Sequence, residues 1–392
     1  MTKTKAKHIV NYLEENQQSM ILFLKRLVEA ESPSKDPKSQ VRVISLLKSA
    51  LEDLNYNVLY VPGNKTGGFI LSRPNNRVKN NPIQFLLGHC DTVWEKDTIL
   101  NMPITQDKTK ITGPGIFDMK AGLTQMVYAL HAIKDLQLKC QLTPVIIINS
   151  DEEIGSRESE NAIVKIAKIA DRAFVLEPPL GIKGKLKTAR KGIGRFTIIV
   201  KGKPAHAGLN PDKGVSAIVE LSYHIQHLFS LNDFNKGITV NVGMIEGGTS
   251  ANVIAAESKA VIDVRVHNAE DATFISEKIL SLKPVNEDVE LIVDGYFGRP
   301  PMERTQRNQN LWKMAKNIGE LIGLELEEST AGGGSDGNTT SLYTATLDGL
   351  GTTGDGAHAK HEFIFTEKLV ERTALLILLL TAKPLNNKRI KS

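Results

Sequence analysis

The stretch TPVIIINSDEEIGS, Thr143 to Ser156, joins a run of apolar and β-branched residues to three consecutive carboxylates. The run has the length and composition of a strand covered on both faces. Asp151, Glu152 and Glu153 follow where that strand ends, and there they repel one another and lose solvation. Two arrangements offset the cost. The acids can open a solvated helix, whose first turn favours negative charge, or they can hold a cation. The rest of the chain decides between them.

Outward from this stretch, IQFLLGHCD is a second continuous apolar run, and MKAGLTQMVYALHAIKDL between the two has helical periodicity. IVNYLEENQQSMILFLKRLVEA and QVRVISLLKSALEDL also read as helices. Strands alternating with helices predict an α/β sandwich whose active groups sit at the carboxyl ends of parallel strands. The middle of the chain changes rhythm. RFTIIVKG, GVSAIVELSYHIQHLFSL, GITVNVGMIEGG, ESKAVIDVRVH, DATFISEKILSLK and VELIVDGYFG read as β-α-β-β-α-β, a split βαβ unit of ferredoxin-like type. NLWKMAKNIGELIG then resumes the first pattern. The expected division is 1–187 for the first part of a catalytic domain, 188–299 for an inserted domain, and 300–392 for the second part.

The chain has 392 residues, 41% hydrophobic and 24% charged, ordinary values for a globular protein of more than one domain. Cys90 and Cys140 are too few for a disulfide framework, which points to a reducing compartment. The N-terminus lacks the apolar core of a secretory signal, and the longest apolar run, ALLILLLTA, is too short to span a bilayer. These features predict a cytoplasmic protein without a membrane partner. A net charge of +5 is mild, the basic residues are scattered except in the tail NNKRIKS, and aromatic residues make up 5%. With no basic strip interleaved with aromatics, nucleic acid is not an expected partner.

Candidate chemistry lies at the strand ends. In FLLGHCDTVW, His89 and Asp91 share one face of a strand, and Asp91 can fix the tautomer of a metal-binding His89. Cys90 faces the other way, toward the core. In GPGIFDMKAG, Asp118 reads either as a helix N-cap or as a carboxylate bridging two metal ions. Glu152 and Glu153, adjacent on extended backbone, diverge; one can ligate a metal while the other faces the water that the metal activates. AFVLEPPL places Glu177 at another strand end, and TGDGAHAKHEF offers His358 and His361 in a glycine-rich turn. Together, two histidines and three carboxylates suit a pair of zinc ions.

These segments resemble the co-catalytic di-zinc metallopeptidases and aminoacylases, most of all glutamate carboxypeptidases of the folate-cleaving type. GHCDTVW, GPGIFDMKAG, DEEIGS, LEP, PAHAG and GAHAKHEF fall in the family's order across nearly the whole chain. The resemblance implies a sandwich of zinc-aminopeptidase type with a ferredoxin-like lid or dimerisation domain inserted in it. It implies His89 and Glu177 on one zinc, Glu153 and His358 on the other, Asp118 bridging, and Glu152 as the base. His358 is preferred to His361 because the motif is a histidine four residues before a glutamate, here Glu362. A cis peptide after Asp118 is implied as well. In PAHAG, His206 matches an oxyanion donor that reaches a partner subunit. Asn252 and Arg265 match groups that bind a substrate carboxylate, an ion pair being the plain alternative for Arg265. Gly333, in the loop AGGGSDGN, can offer backbone N–H groups to the same end.

The expected activity is hydrolysis of an amide by two Zn(2+) ions, with cobalt or manganese as possible substitutes. The products include a C-terminal amino acid, glutamate by preference, released from a small peptide or N-acyl amino acid with a free carboxylate. A homodimer through the inserted domain is expected. Alternatives on the same scaffold are an aminoacylase, deacetylase, desuccinylase or tripeptide aminopeptidase. From other classes come an inactive metal-binding scaffold, which the intact ligand set opposes, and a calcium site, which the histidines oppose.

Overall fold

A computed structural model of the chain describes residues 2–385, so the tail NNKRIKS lies outside the described residues. The chain forms two compact units. One takes the described residues of 1–188, 304–330 and 335–392; the other takes 189–303 and 331–334.

The first unit is built on a six-stranded sheet. Its strands run in the order Tyr56–Val61, Phe69–Pro74, Thr143–Asn149, Ile83–His89, Ala170–Val175, Ala345–Leu347. The last four are mutually parallel, and the first two form an antiparallel hairpin at the edge. All seven residues of Ile83–His89 and of Thr143–Asn149 are buried. Covering on both faces explains their unbroken apolar character. Leu86, Ile146 and Ile148 enter a large core shared with the helices Ala121–Asp135 and Thr366–Leu380. Phe85, Leu87 and Ile147 enter a smaller core on the opposite face. The run ALLILLL is buried within Thr366–Leu380, and among the described residues no helix is long and apolar enough to cross a membrane.

Registers bring three strand ends level. His89 pairs with Asn149, and Leu87 pairs with Val175. The segments HCD, SDEE and LEP therefore leave the sheet along one edge, where parallel α/β sheets place their ligands.

One expected helix is two. IVNYLEENQQSMILFLKRLVEA breaks at Asn16 into Lys3–Glu15 and Gln17–Glu29. Asn16 leaves helical geometry, and its side-chain amide donates to the Tyr12 carbonyl at 2.8 Å. A short amide that competes for local carbonyls ends a helix that apolar periodicity alone would carry through.

The second unit is an antiparallel sheet in the order Thr239–Gly247, Glu257–Val266, Gly192–Lys201, Glu290–Arg299. Its central strands alternate: Ala260, Ile262, Val264 and Val266 face inward between less buried residues. The helices Ala217–Ser230 and Ala269–Leu280 pack on that one face. The molecule is thus a mixed α/β fold with the β-α-β-β-α-β unit inserted in the sandwich.

Candidate active site

The acidic stretch that follows Thr143–Asn149 does not continue as extended backbone. Glu152–Ile154 is a turn of 3-10 helix, entered through Asp151 at φ −141° and closed by Gly155 at φ +99°. That left-handed closure suits glycine. The turn, and not strand alternation, separates the carboxylates of Glu152 and Glu153. Asp151 leaves the group altogether. It is buried and accepts hydrogen bonds from the Ser159 hydroxyl at 2.6 Å and the Glu158 N–H at 2.8 Å. Asp336, also buried, accepts from Asn149 Nδ2 at 2.7 Å and from the Ser156 hydroxyl, so it ties both ends of the acidic turn.

His89 ends its strand 1% exposed. Its Nδ1 lies 3.0 Å from the Asp91 main-chain oxygen and 3.4 Å from Asp91 Oδ1. The main-chain oxygen is the nearer acceptor, so the carboxylate is not alone in fixing the ring. The two oxygens of that carboxylate also accept from the Glu152 and Glu153 N–H groups, at 3.2 and 3.3 Å. Asp91 therefore joins the HCD segment to the acidic turn.

With Nδ1 donating, His89 Nε2 faces Asp118 Oδ1 at 3.2 Å and Glu177 Oε1 at 3.3 Å. On the other side, His358 Nε2 lies 3.4 Å from Asp118 Oδ2 and 3.3 Å from Glu153 Oε1. Asp118 therefore stands between two histidine–glutamate pairs and turns one oxygen to each. Glu152 places a carboxylate oxygen within 4.8 Å of donor atoms of His89 and Glu177. His361 is exposed and lies outside this cluster.

A residue with no assigned chemical role among the motifs holds this geometry. Glu362 is fully buried. It accepts from the N–H groups of Gly115, Phe117 and Asp118 at 2.8, 2.8 and 3.0 Å, and from Trp94 Nε1 at 2.8 Å. One carboxylate thus fixes the loop that presents Asp118, whose peptide to Met119 is cis. The sequence signalled Glu362 only as the end of a histidine motif; its four donors come from segments some 250 residues away along the chain.

The charges respond to one another. Burial alone would lower the pKa of His89, but Asp118, Asp91 and Glu177 outweigh it and hold the imidazole well above its usual value. Asp118, hydrogen-bonded to His358, raises His358 to about 10, with Glu153 adding to the effect. Burial would raise Asp118, yet His358 and His89 bring it well below the usual carboxylate range. Glu153 is pushed up by burial and by Asp118.

The donor set fits a pair of metal ions. Ligands at about 2.0–2.2 Å on a tetrahedral zinc stand about 3.3–3.5 Å apart. The four nitrogen–oxygen separations across Asp118 fall between 3.2 and 3.4 Å. Two imidazoles with three carboxylates are the mixed nitrogen and oxygen set that zinc, cobalt and manganese accept.

The second unit carries the remaining candidates. His206 Nδ1 accepts from the N–H groups of Gly208 and Leu209 at 3.1 and 3.2 Å, which leaves Nε2 as the donor of the neutral ring. Asn252 lies alongside, its main-chain carbonyl accepting from the Ala207 N–H at 3.0 Å. Arg265 has the ion pair weighed against its binding role: Nε and Nη2 donate to Asp263 at 2.7 and 3.0 Å. Its Nη1 donates to the Gly332 carbonyl at 3.3 Å. Gly333 is exposed, and its carbonyl accepts from Arg190 at 3.0 Å.

The chain is similar to several known proteins. A family model described as a peptidase dimerisation domain matches residues 188–282. Carboxypeptidase G2 of Pseudomonas sp. (strain RS-16) is 28% identical over 89% of this chain and 86% of its own length. A peptidase M20 domain-containing protein of Schizosaccharomyces pombe is 30% identical over 69% of this chain and 64% of its own. In fold, the chain is similar to the crystal structure of aminopeptidase PepT from Bacillus cereus, with a TM-score of 0.79. That match has 23% identity and covers 93% of this chain and 98% of the other.

Proposed function

The chain belongs to the M20 peptidase family, and from that premise we propose that it hydrolyses an amide bond to release a C-terminal amino acid, glutamate by preference. Members of this family are zinc-dependent hydrolases. The observation that carries the reading is Asp118 set between two histidine–glutamate pairs with Glu152 beside them. Similarity over most of the chain to an enzyme named a carboxypeptidase supports the direction of cleavage.

His89, Glu177 and one oxygen of Asp118 would hold the first metal; Glu153, His358 and the other oxygen would hold the second. Two bound zinc ions would supply Lewis-acid polarisation of the scissile carbonyl and a water acidic enough to react near neutrality. Glu152 takes the proton from the attacking water and returns it to the leaving amine. Asp91 keeps the His89 ring oriented and holds the acidic turn by its two N–H groups. His206 Nε2–H is the candidate donor to the oxygen that becomes negatively charged. Because Asp263 occupies the Nε and Nη2 side of Arg265 and one Nη1 hydrogen goes to the Gly332 carbonyl, the second Nη1 hydrogen is the part assigned to a substrate carboxylate, with the Asn252 amide and the Gly333 N–H as further donors. The dimerisation-type domain supports a homodimer.

The test is amino-acid release by zinc-reconstituted protein from a panel of peptides and N-acyl amino acids. Free glutamate from substrates ending in glutamate, abolished by chelation, is the expected result. Release of the amino-terminal residue instead would replace the carboxypeptidase reading with an aminopeptidase one. Release from small N-acyl amino acids regardless of side chain would make the protein a general deacylase.

A further inference from the structure

One face of the sheet in the first unit is covered by two short helices: Glu160–Ala167, through Ile163 and Ala167, and Asp336–Thr340, which packs against it and against the strands Ala170–Val175 and Ala345–Leu347, away from the hairpin. The eight residues of Glu160–Ala167 make a rod about 12 Å long and about 10 Å wide, whereas six strands at about 4.8 Å spacing span about 24 Å. Cover runs out toward the antiparallel hairpin at the edge. There Leu59 pairs with Leu71 and Asn57 with Arg73 across the strands. Leu59 is 54% exposed, and Ile169 beside the same gap is 52% exposed.

A cavity of about 320 Å³ occupies the gap. Its walls are aliphatic: Leu59, Leu71, Ile83, Val145, Ile166 and Ile169. The polar groups that join them are Asn57, Arg73 and Arg77, with no acidic side chain in the lining. Among the described residues neither guanidinium has an ion pair, and Arg77 Nε is buried without a hydrogen-bond partner. A buried donor of this kind has lost water and gained no acceptor, a deficit that a bound anion would remove.

We propose that this cavity is a binding site for a medium-chain alkyl carboxylate, its chain among the six aliphatic side chains and its carboxylate on Arg73 and Arg77. Guanidinium groups match carboxylate oxygens in pairs, and the Asn57 amide adds a donor. The walls hold no aromatic ring, so a stacking ligand finds no platform. The volume is at the lower end for small-molecule sites, which limits the chain to about eight to ten carbons. The site is separate from the metal-binding candidates. Ile83 and His89 are opposite ends of one strand, about 20 Å apart at about 3.3 Å per residue. The proposal therefore stands whether or not the hydrolytic reading holds.

Calorimetric titration of the intact protein with decanoate, decanol and decyltrimethylammonium tests it. The expected result is one decanoate per chain, with the alcohol and the ammonium at least tenfold weaker. The double variant Arg73→Gln, Arg77→Gln, which leaves the six aliphatic walls intact, should lose at least tenfold in decanoate affinity while keeping its thermal unfolding. Equal affinity for decyltrimethylammonium, or decanoate affinity unchanged in the double variant, would overturn the assignment. A stoichiometry well above one, the sign of detergent-like adsorption, would overturn it too.

Discussion

Glu362 lies outside the proposed ligand set, yet it holds the loop that presents Asp118. Its carboxylate receives three main-chain donors and an indole donor around the Asp118 loop. Glu362→Gln replaces one acceptor oxygen with an amide that opposes N–H donors. Metal affinity should fall about 10–100-fold, as for other groups that position ligands, measured by competition with a chromophoric chelator; unchanged affinity would remove Glu362 from that role. Glu152, the proposed base, gives a test that separates proton transfer from metal binding. Glu152→Ala should lower kcat by about 10²–10⁴-fold while two metal ions remain by elemental analysis. Loss of a metal instead would make Glu152 a ligand, which its position within 4.8 Å of His89 and Glu177 also permits. Cys90 gives a negative control: it is fully buried, and burial pushes its thiol up to about 12. Native protein should resist alkylation at Cys90 at pH 8, and mass spectrometry of the digested protein reports any labelling.

At the scale of elements, the site depends on how closely a helix passes a strand end. Gly122 lies in the first turn of Ala121–Asp135, and a Cβ there would meet the main-chain oxygen of Leu176, next to Glu177. That oxygen is backbone, not the tip of a flexible side chain, so it cannot swing aside. Gly122→Ala should destabilise the protein by about 1–3 kcal/mol and weaken the proposed metal site at Glu177, read by denaturant unfolding with and without zinc. Wild-type stability would show that the helix can move aside. Strands were legible where burial on both faces left unbroken apolar runs, as in Thr143–Asn149. The hairpin Tyr56–Val61 and Phe69–Pro74 was not read, because an edge strand with mixed burial carries no such run. The break at Asn16 escaped for a related reason: apolar spacing continues through it, and only the local amide contact with Tyr12 stops the helix.

For the whole molecule, folding gathers negative charge that metal ions would neutralise, so stability and metal content are linked. Metal bound only by the folded state stabilises it by about 4 kcal/mol when free metal exceeds Kd a thousandfold. Chelation should therefore lower Tm, and calorimetry with and without chelator checks this; an unchanged Tm would separate the cluster from metal binding. The sign of the pH dependence follows from His358, raised to about 10 beside Asp118 and Glu153. A ring protonated below that value must lose its proton to ligate, so metal uptake should release protons and apparent affinity should rise from about pH 6 to about pH 9. The amino-acid sequence by itself determined the layered α/β class, the inserted β-α-β-β-α-β unit and the residue types at each strand end, because periodicity and motif order are local properties of the chain. It did not determine that Asp151 turns away, that a 3-10 turn divides Glu152 from Glu153, or that Glu362 gathers the Asp118 loop. Only the tertiary structure decided these, because each depends on a buried carboxylate finding donors, and for Glu362 those donors come from segments remote in sequence.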